Sequence, residues 1–294
     1  MLMEKIGIVT DEAADLPKEI IEKYHIAVTP VKLFWPEVEN LPGDNTFQKM
    51  RELEKQGIQS FGKTSQSSMK DFLDKYNLQF SNFQKILCLT VTSKLSGTNN
   101  SAVQAVKFLD KDKQDKVFVI DTLNVSGGQA LLILKAIELI ERGEEAEDIV
   151  SKIKEMIPRV HFYIMFNDPK WIEASGRVSH LVAGLMRGMA KAGIRPVLVI
   201  KDGVIVPAGL KSGVKDMSTG LFKQFEKDIK NMGIGGKKIK AVITHGDDLA
   251  EAGRLKKMIE EKFGSTEIIF INMVNDVVGA IAGPDALTLA WCED

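Results

Sequence analysis

Three clusters of small hydroxyl residues fall where a strand or loop should hand over to a helix. They are Thr64-Ser65-Gln66-Ser67-Ser68, Ser93-Lys94-Leu95-Ser96-Gly97-Thr98, and the run Asp121 to Gly128, DTLNVSGG. Hydroxyls and the free N–H groups of a helix N-terminus converge into a neutral socket for one anionic group, and the helix dipole favours negative charge there. No Cys/His/Asp constellation sits beside these clusters. The chemistry they suggest is holding an acid rather than cutting or oxidising one.

Other patterns carry less. Gly57-Ile58-Gln59-Ser60-Phe61-Gly62-Lys63-Thr64 matches the phosphate-cradling G-x-x-x-x-G-K-[ST] pattern letter for letter, and Val117–Asp121 offers an apolar strand ending in an Asp. That pattern needs a strand before it and a helix directly after it. Here the charged helical stretch 48–56 precedes it, and Gly57 reads as a helix stop. Ser60-Phe61-Gly62-Lys63 fits S-x-x-K without the neighbouring Lys/Ser elements of that chemistry. His245-Gly246-Asp247-Asp248 follows a strand, and its competing readings are a metal site and a loop with a helix N-cap. His180, after Ser179, reads as part of a helix start.

Stepping from these residues to what must position them, 294 residues with 44% hydrophobic and 27% charged content describe a globular chain. The net charge of −1 gives no electrostatic case for nucleic acid or an anionic membrane. Two cysteines, Cys88 in an apolar run and Cys292 near the end, suggest a reducing, cytoplasmic setting. Met1 to Val9 lacks the basic-then-apolar pattern of a signal peptide. No stretch reaches the roughly 18 uncharged residues that span a bilayer, so no stable membrane insertion is expected.

The first half alternates strand and helix patterns. Strands are predicted at Ile6–Thr10, Val28–Leu33, Lys85–Thr92 and Val117–Asp121. Helices are predicted from Leu16-Pro17 to Tyr24 and at Phe47–Gln56, Met69–Tyr76, Gly97–Leu109 and Gly127–Arg142. Such β-α alternation argues for a parallel sheet covered on both faces. After a helix at Ala146–Ile157 the order changes to α+β: a strand at Val160–Phe166, a helix near His180–Gly193, and a hairpin of Arg195–Ile200 and Val204–Pro207 around Asp202-Gly203. A strand at Lys238–Thr244, a helix from Asp248 to Phe263 and a strand at Thr266–Ile271 follow. The expected architecture is an α/β parallel-sheet domain over 1–158 and a smaller α+β domain over 159–294.

Taken in order, the clusters resemble the DegV family, which includes the acyl-binding subunits of bacterial fatty acid kinase. The resemblance spans nearly the whole chain. It rests on Thr10-Asp11 with Ala14-Asp15-Leu16-Pro17, Thr64-Ser65-Gln66, Ser93-x-Leu95-Ser96-Gly97-Thr98 with Ser101-Ala102, and Val119-Ile120-Asp121-Thr122 ahead of Ser126-Gly127-Gly128. It continues through Ser175-Gly176-Arg177-Val178-Ser179, Arg195-Pro196-Val197-Leu198 leading into Asp202-Gly203, His245-Gly246-Asp247 and Gly283-Pro284.

The resemblance implies a two-domain fold with one long-chain fatty acid held between the domains. It implies no metal and no other cofactor, and no complete catalytic constellation in this chain. Thr64 and Ser96 are implied at the carboxylate, joined in this reading by Ser65, Gly97, Thr98, Ser126 and Gly127. Arg177 is implied at the ligand entrance and the surface for a partner kinase subunit, which would phosphorylate the carboxylate to an acyl phosphate. An ionised carboxylate only accepts hydrogen bonds, so hydroxyls and N–H groups suit it. Leu181, Val182, Leu185, Met186 and Met189 recur at 3–4 spacing in HLVAGLMRGMAKAG and offer one apolar face to an acyl chain, or to an ordinary core. Ile281 completes the expected lining.

The chain departs from the family at its C-terminal H-T-G-P-G stretch, where it has Ile281-Ala282-Gly283-Pro284-Asp285. Glu12 and Ser175 replace a Ser and a Gly elsewhere. Losing the His removes one donor and bears on phosphoryl handover more than on acyl binding. Two alternatives therefore stay beside the kinase-presenting reading: a fatty acid carrier without kinase coupling, and a P-loop-like nucleotide phosphohydrolase using Lys63, Thr64 and Asp121.

Overall fold

Ile86-Leu87-Cys88-Leu89 has no polar residue on either side of its alternation, and such a run belongs in a sheet covered on both faces. In the computed structural model all four are fully buried. The structure describes every residue except 1–4, 167, 192–193 and 213–215, and leaves out the side chains of 185, 190, 194–195 and 209–212. In chain order its strands are β1 (Ile6–Asp11), β2 (Ala27–Thr29), β3 (Lys32–Phe34), β4 (Lys63–Ser65), β5 (Lys85–Thr90), β6 (Val117–Asp121), β7 (His161–Met165), β8 (Ile194–Lys201), β9 (Val204–Ser212), β10 (Ile239–His245), β11 (Thr266–Met273) and β12 (Leu287–Glu293).

The chain forms two compact units, Met1–Lys32 with Ser65–Val160, and Leu33–Thr64 with His161–Asp294. The first unit holds an all-parallel sheet in the order β2-β1-β5-β6. One face meets the helices Met69–Phe80 and Thr98–Val106, with Phe72, Tyr76, Ala102 and Ala105 packed on Val9, Ile86 and Cys88. Helices Gly127–Glu141 and Ala146–Met156 pack on each other and on β5. Ser68 starts the helix Met69–Phe80 with a capping box: it accepts from the Asp71 N–H, and Asp71 accepts in return from the Ser68 N–H.

The second unit holds a six-stranded sheet in the order β11-β10-β12-β7-β8-β9, parallel only between β10 and β11. Asp202 at φ 51 and Gly203 at φ 82 turn the β8–β9 hairpin, as the Asp-Gly pair predicts. Helices Met217–Met232 and Leu249–Lys262 bury Leu221, Phe225, Leu255 and Ile259 with Trp291 and Ile243.

Three expectations change. The single cut at 158 lies close to the boundary at Val160/His161, but residues 33–64 pack with the second unit rather than the first. The cause is the apolar face of the helix Thr46–Lys55, where Phe47, Met50 and Leu53 are fully buried in one cluster with Trp35, Trp171, Val274 and Ala280. With that segment the second unit is the larger of the two. The single strand expected at Val28–Leu33 is two, β2 and β3, interrupted at Pro30, which cannot donate to a ladder. No strand was expected after Ile271, yet β12 lies at the heart of its sheet between β10 and β7. Its residues Leu287–Trp291 are buried on both faces, so they lack the alternation that marks a half-exposed strand.

Gly279 meets the Phe47 ring so closely that an added Cβ would lie 2.5 Å from Cζ. Phe47→Ala should therefore leave a cavity under residues 33–64 and lower the unfolding free energy by about 3–5 kcal/mol in urea titration. A loss below about 1 kcal/mol would show that the segment is held by its polar contacts instead.

Candidate functional site

In the order β2-β1-β5-β6 the chain leaves β1 toward one edge and returns to its other side with β5. The point between the carboxyl ends of β1 and β5 is the topological switch point, where open α/β sheets take their ligands. Asp11 ends β1 there and is 1% exposed. Its carboxylate accepts from the Val91 N–H at 2.8 Å and the Ala13 N–H at 3.1 Å. Gln129 Nε2 lies 3.3 Å from the same carboxylate and 3.0 Å from Thr10 Oγ1. Burial pushes the Asp11 carboxyl up to about 6, against these hydrogen bonds, which hold it down.

The loop after β5 carries the second hydroxyl cluster. Ser96 Oγ and Thr98 Oγ1 lie 2.8 Å apart, and Ser96 Oγ also accepts from the Thr98 N–H at 3.2 Å. Thr98 is fully buried whereas Ser96 is half-buried, so Ser96 is the more open hydroxyl of the pair. Gly97 opens the helix Thr98–Val106 at its N-cap with no side-chain cap. A Cβ at Gly97 would lie 2.0 Å from Gln66 Oε1, and Gln66 Nε2 donates to Ser101 Oγ at 3.0 Å. The Ser65-Gln66 turn thus lies over the first turn of that helix.

The third cluster follows β6. Asp121 accepts from the Ser93 N–H at 3.2 Å and the Leu123 N–H at 3.1 Å. Thr92 N–H donates to the Asn124 carbonyl at 2.9 Å, and Ser126 N–H to the Ala13 carbonyl at 2.6 Å. Ser126 stands at φ 52 and ψ −132, a region a side chain enters at a cost of about 1–3 kcal/mol. Gly127, buried, begins the helix Gly127–Glu141.

In the second unit, Thr64 Oγ1 accepts from Arg177 Nη2 at 2.7 Å. Gly176 at φ 71 turns the chain back, and Arg177 Nη1 donates to the Ser175 carbonyl at 3.1 Å. Burial pulls the Arg177 guanidinium below its usual range. Arg51 is paired quite differently: Nη1 meets Asp247 Oδ2 and Nη2 meets Asp285 Oδ1, each at 2.6 Å. Burial lowers the Arg51 pKa, but the bonds to Asp285 and Asp247 raise it further.

The structure therefore pairs Ser96 with Thr98, seats Gln66 against Gly97, and pairs Thr64 with Arg177. The apolar helix is His180–Lys191, and its expected single face divides. Met186 and Met189 are buried, Val182 is half-buried, and Leu181 is 85% exposed. Leu181 lies well over a quarter turn from Met186 at 100° per residue, so the 3–4 spacing carries it off the buried face. The Leu185 side chain and Gly193 lie outside the described residues. Ile281 is half-buried on the helix Asp276–Ala282.

The G-x-x-x-x-G-K-[ST] match is built in reverse. The helix Thr46–Lys55 precedes it, Gly57 stands at φ 69, and Lys63-Thr64-Ser65 forms β4 rather than a helix start. Asp248 caps the helix Leu249–Lys262 by accepting from the Glu251 N–H, and His245 Nδ1 accepts from the Asp248 N–H at 3.2 Å. That fixes the remaining proton of a neutral His245 on Nε2. Among the described residues there is no His/Cys/Asp/Glu group able to hold a metal ion, and no helix is long and apolar enough to cross a membrane. Sequence reasoning left out Asp11, Gln129 and Arg51 as site-shaping residues. Asp11 enters the sequence reading only as part of the Thr10-Asp11 resemblance, with no role given to it.

A family model described as uncharacterised proteins of the DegV family matches residues 5–294. The chain belongs to the DegV family. It is 29% identical over 290 residues to a protein of Thermotoga maritima named fatty acid-binding protein, with 95% of each chain covered. A solved Thermotoga maritima structure, presented as revealing fatty acid binding function, superposes with a TM-score of 0.79 at 25% identity, covering 99% of this chain and 100% of that one. A DegV family protein of Thermus thermophilus, presented for its fatty acid binding, gives a TM-score of 0.84 at 23% identity, covering 99% and 100%, and speaks for the fold alone.

Asp11 generates a pH prediction. Its folded pKa is raised, so the unfolded chain ionises first as pH rises, and stability falls between about pH 4 and the folded value of about 6. Above that window the cost levels at about 3 kcal/mol. The difference in unfolding free energy between wild type and Asp11→Asn should shift against wild type across pH 4–6. A flat difference would mean that Asp11 titrates as in the unfolded chain.

Proposed function

We propose that the protein binds one long-chain fatty acid and grips its carboxylate with uncharged donors. Thr64, Ser65, Ser96, Thr98 and Ser126 contribute hydroxyls, and Gly97 and Gly127 contribute backbone N–H groups. Val182, Met186, Met189 and Ile281 take the hydrocarbon, whereas Leu181 is exposed off that face. Arg177 serves the entrance or the partner contact. The observation that carries the reading is the Ser96–Thr98 hydroxyl pair at a helix N-terminus beside a sheet switch point. The fatty acid binding for which the Thermotoga maritima relative is named adds support.

The energetics suit a binder. A hydrogen bond to a charged group contributes about 1.5–3 kcal/mol net, so the donors mostly orient the head group. Each buried CH₂ contributes roughly 0.8 kcal/mol, so the tail dominates affinity before ordering costs. Two free, buried cysteines, Cys88 and Cys292, are in keeping with the cytoplasmic setting this reading assumes.

In this reading the chain presents its bound carboxylate to a partner kinase subunit, which forms the acyl phosphate. A carrier without kinase coupling is the second reading, favoured by Ile281 at the position where the family His is expected. Reconstitution with ATP and a bacterial fatty acid kinase subunit separates them: acyl phosphate supports presentation, and binding without turnover supports the carrier.

Denaturing the purified protein and identifying released small molecules by mass spectrometry should yield a long-chain fatty acid. A chain that releases no lipid and binds no added palmitate would overturn the proposal. Ser96→Ala should weaken palmitate binding several-fold, roughly the loss of one hydrogen bond, with the melting temperature little changed. Unchanged affinity would put the head group elsewhere.

A further inference from the structure

We infer that the first unit carries a second ligand site, at the amino ends of β5 and β6, that takes a nucleoside monophosphate. The site is independent of the fatty-acid reading. The Ser96 and Ser126 clusters follow the carboxyl ends of these two strands, whereas the pocket lies where they begin.

The pocket has a volume of about 450 Å³, and small-molecule sites run to roughly 300–1,000 Å³. Two half-buried rings line it: Phe80, which ends the helix Met69–Phe80, and Phe83, in the turn before β5. Both are anchored from behind. Phe80 packs against the cluster that holds Phe72 and Tyr76. A Cβ at Gly7 would lie 2.8 Å from Phe83 Cδ2, so only a strand without a side chain there admits the ring. Fixed aromatic rings give a flat base a stacking surface.

The polar lining is mostly donors. Lys113 Nζ lies 5.9 Å from the centre of the Phe80 ring and pairs with Asp110 at 2.7 Å. Asp110 is 73% exposed, and so open a pair contributes little, which leaves the ammonium free to exchange it for a phosphate. Lys116, just before β6, has no ion pair among the described residues. Lys85 is spent by contrast, with both Glu147 carboxylate oxygens at 2.8 Å. Gln84 Oε1 accepts from the Lys5 N–H at 3.2 Å, which leaves the Gln84 Nε2 as a donor without a partner among the described residues. Asp112 is the acceptor in the lining. Lys113, Lys116 and Gln84 suit a phosphate, the rings suit a base, and Asp112 suits a ribose hydroxyl or a base amine. Inorganic phosphate answers only the first demand and a nucleoside only the others. A nucleoside monophosphate answers all three.

The test is calorimetric titration of the full chain with AMP, adenosine and inorganic phosphate. AMP should bind at least about tenfold more tightly than either part, since one molecule engages both halves of the site. Added salt should weaken it. Lys116→Gln should lower AMP affinity roughly three- to tenfold and leave adenosine unchanged. Phe80→Leu, which keeps an apolar side chain at the core edge, should lower AMP and adenosine alike, by about fivefold or more, and leave phosphate unchanged. Melting temperatures check the fold, and Lys113→Gln and Phe83→Leu serve if the first variants do not fold. AMP no tighter than phosphate would mean an adventitious anion on surface lysines. AMP no tighter than adenosine would remove the lysines from the site, and undiminished AMP affinity in the variants would put the nucleotide elsewhere. Each of these results, or no binding of AMP at all, overturns the inference.

Discussion

The carboxylate of Asp11 satisfies two backbone N–H groups beyond the reach of the sheet ladders, Ala13 just past β1 and Val91 just past β5. Loop backbone at a sheet edge carries donors that must find partners, and leaving them buried and unpaired would be expensive. One side chain resolves this for both loops and locks their spacing. The neighbouring loop is bound into the same brace by Thr92 N–H to Asn124 O and Ser126 N–H to Ala13 O. The same brace fixes the start of the loop that leads into the helix N-terminus at Thr98. The raised pKa of Asp11 and the left-handed Ser126 are its costs.

The second unit solves a different problem. Residues 33–64 leave the first unit's stretch of chain and must be anchored where they pack. Trp171 meets Trp35 at 5.9 Å and Phe61 at 5.3 Å between ring centroids, both edge-on. Arg51 adds the polar anchor, reaching two loops through Asp247 and Asp285. Both aspartates take left-handed backbone, at φ 63 and φ 64. Asp tolerates that region better than most residues. Asp285 supplies one of the two carboxylates that hold Arg51.

Most of the first unit was legible in the sequence, because its strands are short apolar runs and its helices are capped or punctuated. Ser68 in the first unit, and Gly57 and the Asp202-Gly203 turn in the second, act as their types suggest. The failures share a cause. The strand β12 has no polar alternation to reveal it, because it is covered on both faces. The allegiance of residues 33–64 depends on what Phe47, Met50 and Leu53 pack against, which periodicity cannot say. The hydroxyls of the three clusters were legible by type. The partners that orient them were not, because Asp11 and Val91, or Arg177 and Thr64, are far apart in sequence and meet only in the fold.

The two arginines of the second unit carry their charge differently. Both are partly buried, and both keep their charge at a desolvation cost. Arg51 offsets that cost internally with two carboxylates at 2.6 Å. Arg177 spends its donors on a hydroxyl and a carbonyl, and its charge has no internal counterpart among the described residues. The carboxylate site proposed above would give Arg177 the counter-charge that Arg51 already has.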